Sequence, residues 1–395
     1  MLSVPSASFI LPEWRLNRST QGKAVLKKFI KIVLVVVVSI IVSLAAAEGL
    51  SRLFLDPIDF LKPTRVYDPV LRYSIEPGTG AHDKWGFRNK SVPVKADIVA
   101  VGDSHTYGIS ATAEDSWPSA LAKMRGETVY NMALGGYGPA EYFYLLADKG
   151  VRLAPGYVIV GFYLGNDLRD SFNAVYSVGL WERMRAPGFS AKEADDDDAP
   201  GESGAGLGEL LAEHSVFYRL ISSSFIGDNL RQMRRLKRGE KIVMFEDSAL
   251  GIKTGFTPER RLRGLDLEDP EVKEGLRLSL EFFNRMNMLL EGTDTKFLVV
   301  IIPTKESVYA SYIEGDKSLP ASEKIDRLIA NEREVNAEVK DYFDAHGIAY
   351  VDVLDALSQR AGSEQLYPAN FGGHTNGNGY RIIAETINGY LEKAR

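Results

Sequence analysis

The pattern of apolar and polar residues divides the chain into a long apolar segment near the N-terminus and an alternation of strand and helix patterns after Ala96. Short runs rich in Val, Ile and aromatic residues predict about five strands. Amphipathic stretches between them predict helices. This alternation favours an α/β fold, a three-layer sandwich with a mostly parallel sheet. The predicted strands are Ile98–Val101, Thr128–Met132, Tyr157–Leu164, Lys296–Ile302 and Ile348–Val353. The predicted helices are Glu114–Lys123, Ala140–Lys149, Glu209–Arg238, Pro270–Leu290, Ala321–Ala345 and Asn378–Lys393.

The apolar segment from Phe29 to Ala47 contains one charged residue, Lys31, and is long enough to span a bilayer. Basic residues exceed acidic ones before it, which predicts a single-pass inner-membrane protein with a cytoplasmic N-terminus and a periplasmic or extracytoplasmic main domain. The small residues Leu44-Ala-Ala-Ala47 leave a signal-peptidase site as an alternative. We expect an uncleaved anchor, because the leader is long and the apolar run exceeds a usual signal core.

These patterns predict four parts of the chain. They are a cytoplasmic segment (1–28), a transmembrane anchor (29–48), a linker with a packed extension (49–95) and a main domain (96–395). The α/β pattern breaks over about 171–269, which predicts an insertion. Its acidic, glycine-rich stretch 193–208 is typical of a flexible loop, and its four consecutive aspartates are expected to be solvated rather than bound to a cation.

Composition excludes several classes of protein. The chain has 395 residues and a formal net charge of −6, with no basic-aromatic array, so nucleic acid is not an expected partner. It has no cysteine, which excludes thiol catalysis, Cys-ligated metal and disulfides. His82, His214 and His346 show no metal-ligand spacing, so we expect neither a metal nor a cofactor.

Polar residues that suit acyl chemistry follow the predicted strands. Ser104 comes after the first strand, Gly135-Gly136 after the second and Asn166 after the third, and parallel strands bring these ends to one edge. His374 lies in a glycine-rich loop before the last helix and could take the serine proton. Glycine N–H groups and an Asn amide could stabilise an oxyanion. On its own, the Gly-Asp-Ser stretch also fits a capped strand-to-helix turn.

The two neighbours of Ser104 are expected to have structural roles. Asp103 is predicted to support the turn. Helical geometry is expected to point His105 away from the line of attack, so that it packs or hydrogen-bonds locally.

Four blocks in order resemble those of the SGNH (GDSL-type) hydrolases, whose domain is an α/β sandwich of flavodoxin-like type. Together they extend from the first predicted strand to the C-terminal region, interrupted by the insertion. The blocks are Gly102-Asp-Ser-His-Thr-Tyr-Gly108, Asn131-Met-Ala-Leu-Gly-Gly136, Gly165-Asn166-Asp167, and His374 with Asn376 and Gly379.

The resemblance implies a role for each position. Ser104 would be the nucleophile and, through its backbone N–H, an oxyanion donor. Gly136 would give a second N–H, or Gly135 if the register shifts by one, and Asn166 would give its side-chain amide. His374 would act as general base and then as acid. Structural alternatives remain open: Gly136 could serve only a tight turn, and Asn166 could cap a helix.

The chain departs from the family at the residue that orients the histidine. Family members usually place an aspartate two or three residues before it, where this chain has Gly372 and Phe371. Three explanations compete: a Ser-His dyad oriented by a backbone carbonyl, a distant acid, or a weakened catalyst. We favour the dyad. The candidate side chains for orienting the histidine are Asn370, Asp352 and Asp355.

These features predict an esterase or O-acyltransferase that acts on acyl esters, chiefly acetyl esters, of envelope carbohydrate or on small esters through an acyl-serine. The segment Ile301–Tyr309 resembles one in SGNH proteins of bacterial exopolysaccharide O-acetylation. Two alternatives stay open. One is a non-catalytic envelope component that binds carbohydrate or a membrane acyltransferase, and the other is a lipase or thioesterase.

Overall fold

A computed structural model describes residues 14–189, 206–222 and 243–394 of the chain. The chain forms two compact units, Met1–Asp56 and Pro57–Arg395. The four consecutive aspartates Asp195–Asp198 lie outside the described residues. So does a basic cluster within 231–238, for which the sequence predicts a solvated helix face.

In its described part, the first unit contains one long helix, α1, Trp14–Phe54. Its segment Val25–Phe54 has a mean hydropathy of 2.9, and none of its most apolar part is buried. At 1.5 Å per residue, a bilayer core of about 30 Å needs about 20 residues, so this helix is long and apolar enough to cross a membrane. A signal sequence would have the same properties near an N-terminus.

The second unit is built on a five-stranded sheet in which every neighbouring pair is parallel. Two antiparallel hairpins, β1-β2 and β6-β7, stand apart from it. The order across the large sheet is β4-β3-β5-β8-β9. The strands are β1 Arg65–Asp68, β2 Arg72–Ile75, β3 Ile98–Val101, β4 Val129–Asn131, β5 Tyr157–Tyr163, β6 Val243–Asp247, β7 Ile252–Phe256, β8 Lys296–Ile302 and β9 Tyr350–Asp352.

Helices connect the strands of this unit and cover the sheet. They are α2 Pro57–Phe60, α3 Ser104–Tyr107, α4 Trp117–Arg125, α5 Pro139–Asp148, α6 Asp167–Phe172, α7 Leu207–His214, α8 Val216–Ser222, α9 Pro258–Leu262, α10 Pro270–Leu290, α11 Lys305–Val308, α12 Ala310–Ile313, α13 Ser322–Ala345, α14 Leu354–Arg360 and α15 Gly377–Lys393.

Helices lie on both faces of the sheet, and the alternation of side chains along each strand builds a separate core on each face. Val99 and Val101 of β3 share one core with residues of α5 and α10. Ile98 and Ala100 share the other with residues of α4 and α15. Because both faces are covered, the strand reads as a continuous apolar run rather than an alternating one. The predicted three-layer α/β fold is confirmed.

The predicted strands β3 and β8 and the helix α10 are confirmed to the residue. The single helix predicted over Glu209–Arg238 is wrong in its described part. Two short helices, α7 and α8, flank Ser215, whose backbone is extended (φ −123°, ψ 113°). The two hairpins lie in segments for which no strand is predicted, because strands of four or five residues carry too little apolar alternation to be recognised.

Candidate active site

Ser104 stands at the carboxyl end of β3, a strand inside the sheet, and begins the four-residue helix α3. The preceding residue, Asp103, caps this helix by accepting a hydrogen bond from the backbone N–H of His105 at 2.8 Å. The expected supporting role of Asp103 is therefore confirmed. This turn carries the Ser104 side chain out at the sheet edge where ligands of open α/β folds bind.

The loop before α15 brings His374 to Ser104. Nε2 of His374 lies 2.7 Å from Oγ of Ser104, although 270 positions separate the two residues. Asn376 fixes the end of this loop, because its side chain caps α15 and accepts from the N–H groups of Asn378 and Gly379. Oγ of Ser104 also lies 3.2 Å from a carboxylate oxygen of Asp103. The serine hydroxyl therefore has an imidazole and a carboxylate within reach.

Ser104 is the only hydrogen-bond partner of His374 among the described residues. Asp352 instead accepts from Asn336 at 2.8 Å and forms an ion pair with Lys340 at 2.6 Å. No bond from Nδ1 of His374 to a backbone carbonyl is present among those residues either. The dyad oriented by a carbonyl, which we favoured, is therefore not seen in this geometry.

The other two candidate side chains for orienting His374 also have different surroundings. Asn370 uses its side-chain oxygen to accept from the N–H of Gly372 at 2.8 Å. Asp355 lines a separate pocket with Ser307 and Glu332. Neither side chain hydrogen-bonds to the imidazole of His374 among the described residues.

Cations, and no hydrogen-bonded carboxylate, surround the imidazole of His374 in the described part of the chain. Burial lowers the pKa of His374, and the charges of Arg261, Lys305 and Arg260 lower it further, to about 3. The folded protein therefore favours neutral imidazole, which can accept a proton. It also disfavours the imidazolium that must form during acyl transfer.

Lys305 holds the loop that precedes His374. Its ammonium donates to the carbonyl of Gly372 at 2.9 Å, to that of Asn370 at 3.3 Å and to the hydroxyl of Thr254 at 3.0 Å. Burial lowers the pKa of Lys305 to about 7. This lysine lies in the segment Ile301–Tyr309 that was singled out in the sequence, and it ties that segment to the site.

The ring of His105 lies beside the ring of His374. The His105 ring stacks on Tyr163 with centroids 3.8 Å apart and lies 4.7 Å from the ring of His374. Both ring nitrogens are buried and have no hydrogen-bond partner in the described part of the chain. The short helix α3 turns this side chain toward β5, where it packs locally on Tyr163, one of the two local roles expected for it.

The glycine loop after β4 passes against Ser104, as expected. A Cβ added to Gly135 would lie 3.4 Å from Cβ of Ser104, and Gly136 has a φ of 85°. A side chain at either position would therefore crowd the nucleophile or strain the turn. Neither glycine carries a side chain that would shield its N–H, and the choice between Gly136 and Gly135 as oxyanion donor stays open.

Asn166 follows β5 at the same sheet edge and precedes α6. Its amide donates to Asp170 at 2.5 Å, and it makes no capping bond to the helix. Burial raises the pKa of Asp170 to about 8. Burial also raises the pKa of Asp103, to about 6, although hydrogen bonds, including one with Asn166, lower it. The Asn166 amide therefore lies beside both acids at the end of β5, where its second N–H can serve an oxyanion.

The sequence of the hairpin β1-β2 predicts no chemical role, yet this hairpin hydrogen-bonds to the glycine loop after β4. Arg72 donates to the carbonyl of Gly136 and pairs with buried Glu141 at 2.8 Å. The hydroxyl of Tyr73 donates to the carbonyl of Gly135. No sequence signal marked these residues, since an Arg-Tyr pair in a polar segment is ordinary. Their role comes from tertiary contact alone.

We expect Tyr73→Phe to lower kcat for ester hydrolysis about tenfold. The substitution removes the hydrogen bond to the carbonyl of Gly135, which orients the peptide group between Gly135 and Gly136. Steady-state kinetics with p-nitrophenyl acetate measures the change. Tyr67→Phe is the matched control, since Tyr67 pairs with Tyr73 across the hairpin but is 84% exposed. Equal rates for the two variants would contradict a positioning role for Tyr73.

No protein-family model and no curated protein matches this chain. Among solved structures, an extracellular lipase from Streptomyces rimosus is similar at 13% identity and a TM-score of 0.41, covering 74% of this chain and 99% of that chain. A mutant of an acetyl-xylooligosaccharide esterase from Geobacillus is similar at 10% identity and a TM-score of 0.34, and the match covers 75% of this chain and 94% of that chain. A member of the lipolytic G-D-S-L family from Veillonella parvula is similar at 12% identity and a TM-score of 0.32, covering 75% and 97%.

Proposed function

We propose that the protein is a serine esterase or O-acyltransferase of SGNH type. The observation that carries this proposal is the 2.7 Å contact between Oγ of Ser104 and Nε2 of His374. A neutral imidazole at this distance can remove the hydroxyl proton as the oxygen attacks an ester. Glycine N–H groups and an amide stand at the same sheet edge, where they support the role of an oxyanion hole.

The reaction proceeds in two steps. Oγ of Ser104 bonds to the ester carbonyl carbon while its proton moves to Nε2 of His374, and the carbonyl oxygen becomes an oxyanion. The oxyanion would be held by N–H groups of Ser104 and Gly136, or Gly135, and by the Asn166 amide. The alkoxide leaves with the proton from His374, which gives acyl-Ser104. Water or a sugar hydroxyl then attacks this ester, gives its proton to His374 and releases the acyl product, and the proton returns to Ser104.

We propose acetyl esters of envelope carbohydrate as the substrates, with residues 29–48 as a membrane anchor, residues 49–95 as a linker with a packed extension and residues 96–395 as a periplasmic domain. The apolar helix α1 and the basic residues before Phe29 support this location. A membrane acyltransferase that supplies the acyl group is part of this proposal. Comparing p-nitrophenyl acetate with long-chain p-nitrophenyl esters separates it from a lipase or thioesterase.

A second candidate function is binding without catalysis. The imidazole of His374 has no carboxylate partner among the described residues, and nearby cations lower its pKa. A Ser-His pair in such surroundings could have lost its rate enhancement while its cleft still binds acylated carbohydrate or a membrane acyltransferase.

A fluorophosphonate probe distinguishes catalysis from binding. We expect it to form a covalent phosphonyl ester on Ser104, with loss of fluoride, because the adjacent imidazole activates this hydroxyl. Intact-mass and peptide mass spectrometry measure the adduct. Ser104→Ala should abolish labelling, and the exposed Ser363→Ala should leave it unchanged. A wild-type protein that binds acetylated carbohydrate but takes no label would support the binding function instead.

A further inference from the structure

Arg261 brings a guanidinium group to the catalytic residues. Its Cζ lies 5.4 Å from the ring centroid of Tyr163, the ring on which His105 stacks. It is also next to the backbone of Gly373, the residue before His374. A Cβ at Gly373 would overlap a guanidinium nitrogen and would lie 3.1 Å from Cζ. The glycine therefore lets the guanidinium lie directly against the loop that carries the catalytic base.

This guanidinium has no hydrogen bond or ion pair with any residue that the structure describes. Asp103 and Glu306 act on it only as more distant charges. Glu306 already accepts from the backbone N–H of Thr257, and Asp103 caps α3. Several N–H donors of Arg261 are thus left for a ligand at the candidate active site.

The charge of Arg261 works against catalysis unless an anion joins it. After burial, it is the largest of the influences that hold the pKa of His374 low, ahead of Lys305 and Arg260. An anion on the guanidinium would reduce this repulsion and stabilise the imidazolium formed during acyl transfer. The carboxylate that SGNH hydrolases usually place two or three residues before the histidine is absent, since this chain has Gly372 and Phe371 there. The carboxylate of Asp103 hydrogen-bonds to Ser104 and to the N–H of His105, so it does not take this place beside His374.

We propose that Arg261 binds an anionic oxygen group of the ester substrate, and that this group supplies the negative charge missing beside His374. The inference rests on the proposed esterase function. Guanidinium pairs with carboxylate and with phosphate through parallel N–H···O bonds, so both are candidates for the anion. The substrate class is therefore an acylated acidic sugar, either a uronate or a sugar phosphate. The titratable or charged groups near His374 are Asp103, Ser104, His105, Arg260, Arg261 and Lys305.

The test compares three acetylated sugars with the full-length protein in detergent. They are a neutral mono-O-acetyl methyl galactoside, the matching galacturonoside and the matching 6-phosphate. We expect kcat/KM for acetate release to be at least about tenfold higher for the acidic sugar whose anion fits than for the neutral one. In the Arg261→Gln variant this ratio should fall to about one. Arg263→Gln removes the same charge from an exposed neighbour and should keep the wild-type ratio.

The pH dependence of kcat provides a second measurement. Because an anion on Arg261 would raise the pKa of His374 in the complex, the acidic limb should lie at higher pH with the acidic ester than with the neutral one. In Arg261→Gln the two limbs should coincide. Equal kcat/KM for acidic and neutral esters in the wild type, or an unchanged ratio in Arg261→Gln, would overturn the proposal. Absence of turnover with every ester, together with no fluorophosphonate label on Ser104, would instead reject the esterase function.

Discussion

Ser104→Ala is expected to lower kcat for p-nitrophenyl acetate hydrolysis by about 10⁴-fold, and His374→Ala by a similar factor. The reason is the 2.7 Å contact between the two side chains, through which one acts as nucleophile and the other as its base. Without Oγ no acyl-enzyme forms, and without Nε2 the hydroxyl keeps its proton. Burst-phase and steady-state kinetics on full-length protein in detergent measure both losses.

The double variant Ser104→Ala/His374→Ala provides the sharper test. Residues that act as one unit are not additive, so the double variant should lose no more activity than either single one. Thermal unfolding serves as the control, and melting temperatures close to that of the wild type would show that the fold is intact. A much smaller loss in His374→Ala than in Ser104→Ala would identify Asp103, 3.2 Å from Oγ, as the base in place of the imidazole.

The sequence predicted the sheet well because its strands are buried on both faces. Such strands must be continuously apolar, and the run Ile98–Val101 ends where the strand ends. The hairpin β1-β2 was not predicted for the opposite reason. All of its strand residues except Ile75 are exposed or half-buried, so its sequence carries too short an apolar period to be recognised. Its importance comes from bonds to the carbonyls of Gly135 and Gly136.

The residues of the candidate site also fall into those that the sequence predicted and those that it did not. Ser104, Asn166 and His374 were found because each follows a strand or precedes a helix at one edge of the sheet. Arg261 and Lys305 were not found, because Arg261 comes from the insertion and Lys305 begins a short helix after β8. Their effect depends on burial beside an imidazole, and no spacing in the sequence expresses that distance.

The position of Ser104 depends on close packing beneath α3. The hydroxyl of Thr106 fills the space that a side chain at Gly161 of β5 would need. A Cβ at Gly161 would overlap Oγ1 of Thr106 and lie 3.4 Å from Cδ1 of Ile302. Both neighbours are almost fully buried, and protein interiors are closely packed, so a shift of either side chain is costly. The glycine therefore allows α3, and with it Ser104, to lie against the sheet.

We expect Gly161→Ala to lower the free energy of unfolding by about 3 kcal/mol, the upper end of the usual cost of overpacking a core. It should also reduce ester hydrolysis, because α3 must shift and carries Ser104 away from His374. Thermal or chemical denaturation followed by circular dichroism measures the first effect. Gly389→Ala is the matched control, since an added Cβ in α15 would meet nothing within 4 Å. That variant should be neutral or gain up to about 1 kcal/mol of helix stability.

The second substitution Thr106→Ala should rescue Gly161→Ala. It removes the overlapping Oγ1 and leaves Cβ of residue 106 at 3.6 Å from the new Cβ, which is an ordinary van der Waals distance. The Thr106→Ala single variant loses a hydroxyl that has no hydrogen-bond partner among the described residues and a buried methyl group, so it should lose about 1 kcal/mol, less than Gly161→Ala. The double variant should therefore be more stable than Gly161→Ala alone. If instead the two losses simply add, the crowding of Thr106 is not what makes glycine necessary in β5.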